Sequence, residues 1–256
     1  MPGREKNMTL KPSLLFLISM FSLSSWALGA AQAGDVSGGG VITGTVELRG
    51  GRSSTKVTVD QDAEVCGDTL RLDNVITGSG HALKNAVVYI TDISTGPESA
   101  AGSIALSHRG CLIEPRVQVA FLGAPVLLKN EDMTTHSFLG TLGGHPIFNV
   151  SLPLKGQKAE RRLSQPGLIR VTCEKHRWES AWIFVSPHPY AAVTDAQGRF
   201  TLKDVPPGTY QLKAWHEGWR PVGNKDFGRV EFEHLEQVQT VTVGTGQTAT
   251  VQFSLK

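Results

Sequence analysis

The stretch Val171-Thr-Cys-Glu-Lys-His-Arg-Trp-Glu-Ser180 places Cys173, His176 and Glu179 at intervals of three residues. Two strand-like apolar segments flank this stretch, at residues 167–172 and 181–185. Because the flanking segments are typical of strands, the three side chains are predicted to lie on the loop of a β-hairpin. A thiolate and an imidazole on one tight loop can bind the same metal ion if a neighbouring strand supplies further ligands.

The composition is that of a globular protein. The chain has 256 residues, of which 40% are hydrophobic and 19% charged, so it can form one or two domains with real cores. Its 28 glycines and 13 prolines favour many turns and short strands. The formal net charge is +2, and no cluster of Lys and Arg is interleaved with aromatic residues, so nucleic acid is not an expected partner.

Residues 1–33 are predicted to be an export signal. Basic residues open the segment, the apolar run Leu14–Leu23 follows, and Ala31-Gln-Ala33 offers the small residues that a signal peptidase requires. A membrane anchor is the alternative, but serines interrupt the apolar run, which is short for a span. We therefore expect a periplasmic or secreted protein that keeps no stable membrane span after cleavage.

Export places the three cysteines in an oxidising compartment, where two of them are expected to pair. Cys173 belongs to the candidate ligand loop, whereas Cys66 and Cys111 lie in polar, turn-like surroundings next to glycines. The sequence therefore predicts a disulfide between Cys66 and Cys111. The alternative is that Cys173 is half of a disulfide.

Residues 104–185 are predicted to form a series of short strands without helical periodicity, as in a sandwich or barrel. Within them, His136 follows Asn130 by six residues, and His176 follows Cys173 by three. This combination resembles the cupredoxin, or blue copper, family. The resemblance implies a Greek-key sandwich in which His136, Cys173 and His176 bind copper.

The short ligand loop is most similar to that of the amicyanin-like branch, because Trp178 supplies an aromatic residue in its second gap. That branch has a Pro directly after the second His and a Met three residues after it. Here those positions hold Arg177 and Glu179, so the usual weak thioether ligand is missing and Glu179 is the candidate fourth ligand. Alternatively, Glu179 points to solvent and pairs with Arg177, and water or a backbone carbonyl fills the axial position.

A second resemblance lies on either side of these residues. The segments Thr194-Asp-Ala-Gln-Gly-Arg-Phe200 and Pro206-Pro-Gly-Thr-Tyr210 resemble the closing strands of the carboxypeptidase regulatory-like (transthyretin-like) sandwich. The opening strands of that family correspond to Gly44-Thr-Val46 and Ala86-Val-Val88.

The opening strands of this sandwich precede the cupredoxin-like region and the closing strands follow it. We therefore predict an all-β protein with two sandwiches. Residues 41–103 and 186–256 are expected to form one seven-stranded-type sandwich, interrupted by the cupredoxin-like domain at 104–185.

A thiolate with two imidazoles suits copper, because the soft sulfur binds Cu(I) and the nitrogens tolerate Cu(II). The sequence carries no recognisable combination of nucleophile, base and orienting group. We therefore expect a one-electron carrier that exchanges electrons with a redox partner protein, and not an enzyme. Three alternatives stay open: a copper-handling protein of the cell envelope, a structural or ligand-binding sandwich with a vestigial site, and a zinc site.

Three further histidines, His145, His188 and His216, are expected to be structural or surface residues. The sequence Trp215-His216-Glu217 also fits a second metal site, and this is kept as an alternative.

Overall fold

The computed structural model describes residues 38–50, 55–93, 102–225 and 229–256. The predicted export signal lies outside these residues. Within them, the structure has twenty strands, one short α-helix, α1 (Ala63–Cys66), and one 3-10 turn (Ser79–His81). The prediction of an all-β fold is confirmed. None of the helices in the described ranges has the length and apolar character needed to cross a membrane.

The strands follow one another in chain order. The first ten are β1 (Gly40–Leu48), β2 (Thr55–Thr58), β3 (Thr69–Leu72), β4 (Val87–Ile90), β5 (Ile104–Arg109), β6 (Leu112–Glu114), β7 (Val117–Phe121), β8 (Pro125–Asn130), β9 (His136–Leu142) and β10 (His145–Leu152). The other ten are β11 (Lys158–Arg162), β12 (Gly167–Thr172), β13 (Ser180–Ser186), β14 (Ala191–Val193), β15 (Arg199–Val205), β16 (Gly208–His216), β17 (Pro221–Lys225), β18 (Arg229–Phe232), β19 (Leu235–Val243) and β20 (Thr248–Leu255).

Seven strands from both ends of the described chain form the first sandwich. One sheet has the order β15-β1-β20 and the other β14-β4-β16-β19. Buried and half-buried residues alternate along β1, so every second side chain enters a core that includes Ile42, Phe200 and Phe253. The turn before β15 requires Gly198, because its φ is +69° and a Cβ there would lie 2.5 Å from the carbonyl oxygen of Val46.

The nine strands from β5 to β13 form the second sandwich. Its sheets have the orders β10-β9-β12-β13-β7 and β11-β8-β5-β6, with β13–β7 and β5–β8 as parallel pairs. Its core includes Leu106, Val126, Phe138 and Ile183. The division into two independent domains, with boundaries at 41–103, 104–185 and 186–256, stays a prediction.

Strand β13 is buried on both of its faces. Ile183 faces the core of the second sandwich, whereas Trp182 and Phe184 face the first sandwich and pack in a cluster with Trp215. This double burial explains why β13 is a nearly continuous apolar run instead of an alternating one.

The strands of the β2–β3 hairpin belong to neither sandwich, because within the described chain they pair only with each other as a sheet. Its tip, residues 59–68, contains α1. A disulfide joins Cys66 at this tip to Cys111 in the turn between β5 and β6. The third cysteine, Cys173, is buried and lies outside the disulfide.

Candidate metal centre

The predicted ligands lie where strands of the second sandwich begin and end. His136 opens β9, Cys173 follows β12, and Glu179 precedes β13. The pair Thr172–Ser180 closes the β12–β13 hairpin, so the ligand stretch forms its loop. The sheet order puts β9 next to β12, which brings His136 beside this loop.

Three of these side chains converge on one point. The Nδ1 atom of His136 lies 3.0 Å from the Nδ1 of His176, and the Sγ of Cys173 lies 3.9 Å and 3.7 Å from these two nitrogens. Bonds of about 2.0 Å to nitrogen and 2.3 Å to sulfur, at tetrahedral or trigonal angles, separate two ligand atoms by about 3.3–3.8 Å. The observed separations of 3.0, 3.7 and 3.9 Å lie within about 0.3 Å of this range, so a single ion can reach all three atoms.

Glu179 adds a carboxylate at the same point. Its Oε2 lies 3.3 Å from His136 Nδ1, its Oε1 lies 3.8 Å from His176 Nδ1, and the residue is 0% exposed. Neither carboxylate oxygen makes a hydrogen bond within the described chain. A buried carboxylate in this state is costly unless a cation satisfies it. The donor set of two imidazoles, one thiol and one carboxylate therefore fits a metal ion.

The solvent-facing alternative for Glu179 does not describe this structure. The side chain is enclosed, and Arg177 pairs with Asp60 at a distance of 2.7 Å. That Glu179 binds the metal stays a prediction, as do the roles of His136, Cys173 and His176.

The sequence analysis missed His108, on β5. Its Nδ1 lies 2.9 Å from Glu179 Oε2 without hydrogen-bond geometry, and its ring stacks on His136 with centroids 4.1 Å apart. Its Nε2 lies 3.1 Å from the carbonyl oxygen of Ser137, to which it donates, so Nδ1 is the ring nitrogen that faces the carboxylate. A signal existed: His108 follows Leu106 by two residues on the core face of a strand, where a polar residue is unusual.

Two aspartates orient the two ligand histidines. Asp132 Oδ2 lies 3.1 Å from His136 Nε2, and Asp62 Oδ2 lies 2.9 Å from His176 Nε2. Because an ionised carboxylate only accepts hydrogen bonds, each Nε2 carries a hydrogen, and Nδ1 is the ring nitrogen that points inward. Metal-binding histidines are commonly oriented in this way. The sequence analysis identified neither aspartate.

Asn130 holds the turn that leads to His136. Its side-chain amide donates to the carbonyl oxygens of Thr134 and Leu152 at 2.7 Å and 2.8 Å, and its Oδ1 accepts from the backbone N–H of Asp132 at 2.9 Å. The fully buried Asn130 thus fixes both His136 and the aspartate behind it.

The electrostatics of the cluster favour a thiolate. Burial raises the pKa of the Cys173 thiol. The imidazoles of His136 and His176 have a larger, opposite effect, so the resulting pKa is lowered to about 6. Burial lowers the pKa of His136, but contacts with Cys173 and Glu179 raise it to about 10. Burial raises the pKa of the Glu179 carboxyl, but His108 and His136 lower it by more, so the net shift of this pKa is downward. The site therefore carries negative ligands and a bound proton that a metal cation can replace.

The three histidines predicted to be structural or surface residues lie elsewhere. His145 is exposed, whereas His188 is buried with its Nε2 3.1 Å from the carbonyl oxygen of Ile90. His216 is buried, and its Nδ1 accepts from the backbone N–H of Gly218 at 3.2 Å. The carboxylate of its neighbour Glu217 accepts hydrogen bonds from Arg116 and Trp182. These side chains therefore form a structural cluster.

One part of the chain matches a family model. Residues 179–256 match the family model of the carboxypeptidase regulatory-like domain. No curated protein sequence matches the chain.

The chain is also similar, over about a third of its length, to solved copper proteins. The Cu-containing nitrite reductase from Thermus scotoductus SA-01 shows 20% identity and a TM-score of 0.30 over 33% of this chain, and 22% of the reductase is covered. A purple cupredoxin from Nitrosopumilus maritimus shows 21% identity and a TM-score of 0.30 over 33% of this chain and 100% of its own. A reduced Cu(I) form of amicyanin shows 18% identity and a TM-score of 0.29 over 39% and 98%. Similarity at this level does not indicate an activity. The proposed function below is therefore based on the site itself.

Proposed function

We propose that the protein is an exported copper-binding protein that acts as a one-electron carrier and not as an enzyme. The observation that supports this most is the convergence of Cys173 Sγ, His136 Nδ1 and His176 Nδ1 within 3.9 Å of one another in a fully buried site. The disulfide Cys66–Cys111 supports a periplasmic or secreted location. A carrier of this kind exchanges electrons with a redox partner protein.

The donor chemistry favours copper, which would supply a Cu(II)/Cu(I) couple. Thiolate sulfur suits Cu(I), whereas imidazole nitrogen and carboxylate oxygen also suit Cu(II). The protein fixes the ligand positions in advance, because Asp132 and Asp62 hold the two imidazoles from behind. A site that keeps one geometry in both valence states needs little rearrangement when an electron is transferred.

Copper loading of the mature protein tests this proposal. We expect one copper per chain, an intense visible thiolate band and an electron paramagnetic resonance signal of Cu(II). Cys173→Ser and His136→Gln should lose the visible band, whereas the matched control His145→Gln, at an exposed histidine, should keep it. A Cys173→Ser variant that keeps the band would refute the ligand assignment.

A structural zinc site is the second candidate. The observation in its favour is the enclosure of the four predicted ligands, each 0% exposed, since structural zinc sites are closed and four-coordinate. Zinc is spectroscopically silent, so a colourless protein that contains one zinc after growth with copper in excess would favour this candidate.

A further inference from the structure

The β2–β3 hairpin, residues 55–72, covers the candidate metal centre. An isolated two-stranded hairpin is only marginally stable in water, so contacts at its tip must hold it in place. The central contact is Asp62, whose carboxylate faces His176 Nε2 at 2.9 Å and Lys175 Nζ at 2.6 Å and also accepts a hydrogen bond from Thr134.

The conformation of Asp62 is itself unusual. Its φ is 56°, in the left-handed region that residues with a side chain rarely adopt, and its carbonyl oxygen accepts from the N–H of Cys66 at 2.8 Å. This conformation places the carboxylate over the outer edge of the His176 ring, which is 0% exposed. The tip of the hairpin therefore closes the side of the metal centre nearest to His176.

The disulfide connects this tip to both ligand histidines. The backbone N–H of Cys111 donates to Asp132 at 2.9 Å, and the same carboxylate oxygen contacts His136. The carbonyl oxygen of Cys111 accepts from Trp178 Nε1 at 2.9 Å, and the Trp178 ring lies 5.1 Å from that of His176. The disulfide is thus connected to each imidazole through one intervening residue, Asp132 for His136 and Trp178 for His176.

We propose that residues 55–72 form a lid that controls exchange of the bound metal, and that the disulfide Cys66–Cys111 is its lock. This proposal rests on the metal site proposed above. With the disulfide formed, the lid stays closed and the metal exchanges slowly. A dithiol reductant opens the lock: it gives two electrons and two protons to the disulfide, leaves two thiols and becomes a disulfide itself. Attack comes at Cys66, because this residue is 7% exposed and Cys111 is 0% exposed.

Metal release to a chelator tests the lid directly. Copper-loaded protein is mixed with excess EDTA, and the loss of the thiolate band is followed in the wild type and in the double variant Cys66→Ser, Cys111→Ser. We expect release at least tenfold faster in the double variant. The matched control Arg71→Ala, an exposed residue of the same hairpin that pairs with Asp73, should release at the wild-type rate. A double variant with the wild-type circular dichroism, band and release rate would overturn the proposal.

Amide hydrogen exchange of the metal-free wild type provides a test that needs neither the variant nor a metal. After treatment with dithiothreitol, residues 59–68 should lose protection while β8, in the core of the second sandwich, keeps it. Unchanged protection of residues 59–68 would overturn the lid even if metal binds. Failure of the wild type to bind metal, with protection lost as expected, would instead refute the proposed function and leave the mobile lid supported.

Discussion

Among the described residues two glutamates are buried, one at the candidate metal centre and one between the two sandwiches, and they differ in how they are satisfied. Glu217, between the sandwiches, accepts from Arg116 Nε at 2.5 Å and from Trp182 Nε1 at 2.9 Å. Glu179, at the metal centre, makes no hydrogen bond within the described chain and is surrounded by imidazoles and a thiol. In the first cluster the positive partner is an arginine, which stays charged, whereas in the second the carboxylate faces a proton held by His136, which a metal cation can replace.

This difference separates two sequence patterns that look alike. Trp215-His216-Glu217 and the loop from His176 to Glu179 both join His, Trp and Glu within a few residues. A carboxylate that is already paired with an arginine, as Glu217 is with Arg116, does not require a metal ion to balance its charge. Only the three-dimensional structure reveals that arginine, which lies 101 residues away in the chain.

The largest expected effect comes from exchanging the two glutamates for glutamine. Glu217→Gln should lower the free energy of unfolding by about 3 kcal/mol, because it leaves the largely buried Arg116 without its negative partner. This loss should be the same with and without metal. Urea unfolding of both forms measures it.

The matched variant Glu179→Gln should have an effect that depends on metal. In the metal-free protein it removes the attraction between the Glu179 carboxylate and His136, whose Nδ1 lies 3.3 Å away, and so lowers the free energy of unfolding. With metal bound the loss should be larger, because the variant also reduces the stabilisation that metal provides. Equal losses with and without metal in Glu179→Gln would remove the distinction between the clusters.

The second prediction concerns pH and the cluster between the sandwiches. Burial lowers the pKa of His216 to about 4, whereas the unfolded chain has a His pKa near 6.5. Between these values the unfolded state binds more protons, so stability falls as pH falls from about 6.5 to 4. The loss attributable to His216 should be about 2–3 kcal/mol.

Unfolding of the metal-free protein across this pH range measures the effect. His216→Gln should have a shallower slope of unfolding free energy against pH than the wild type, because it removes one titrating group. The matched control His145→Gln, at an exposed position, should keep the wild-type slope. If His216→Gln has the wild-type slope as well, His216 does not stay neutral in the folded protein.

The third prediction concerns Asp62. Loss of a carboxylate that orients a metal-bound imidazole typically costs 10–100-fold in metal affinity, or about 1.4–2.7 kcal/mol, so Asp62→Asn should weaken metal binding by this amount. Asp60→Asn is the matched control, because Asp60 pairs with Arg177 at the surface and such pairs contribute little. Competition with a chelator of known affinity compares the two. Similar affinities in both variants would show that Asp62 does not position His176.

The sequence alone could identify part of the candidate metal centre. The loop from Cys173 to Glu179 stands out because strand-like segments flank it, and Asn130 with His136 is a recognisable pair. His108 is harder to find, since its only mark is a polar side chain on the core face of β5. Asp62 leaves no signal, because its contact with His176 spans 114 residues and depends on a left-handed backbone and a separate hairpin.

The smallest expected effect is on the reduction potential. A carboxylate is a harder ligand than a thioether and favours Cu(II), so Glu179→Met should raise the potential by on the order of 60 mV, a tenfold shift in preference for Cu(I), and strengthen the blue colour. Glu179→Gln is the comparison, since it removes the charge without adding a soft ligand. Potentials and spectra that barely change in both variants would mean that Glu179 is not a ligand.

X-ray absorption at the metal edge of the copper-loaded protein tests the central claim most directly. If the metal binds where His136, Cys173 and His176 converge, the spectrum should show one sulfur at about 2.3 Å and two imidazole nitrogens at about 2.0 Å, distances usual for these ligands. The sulfur should disappear in Cys173→Ser. A wild-type spectrum with only nitrogen and oxygen neighbours would contradict the account.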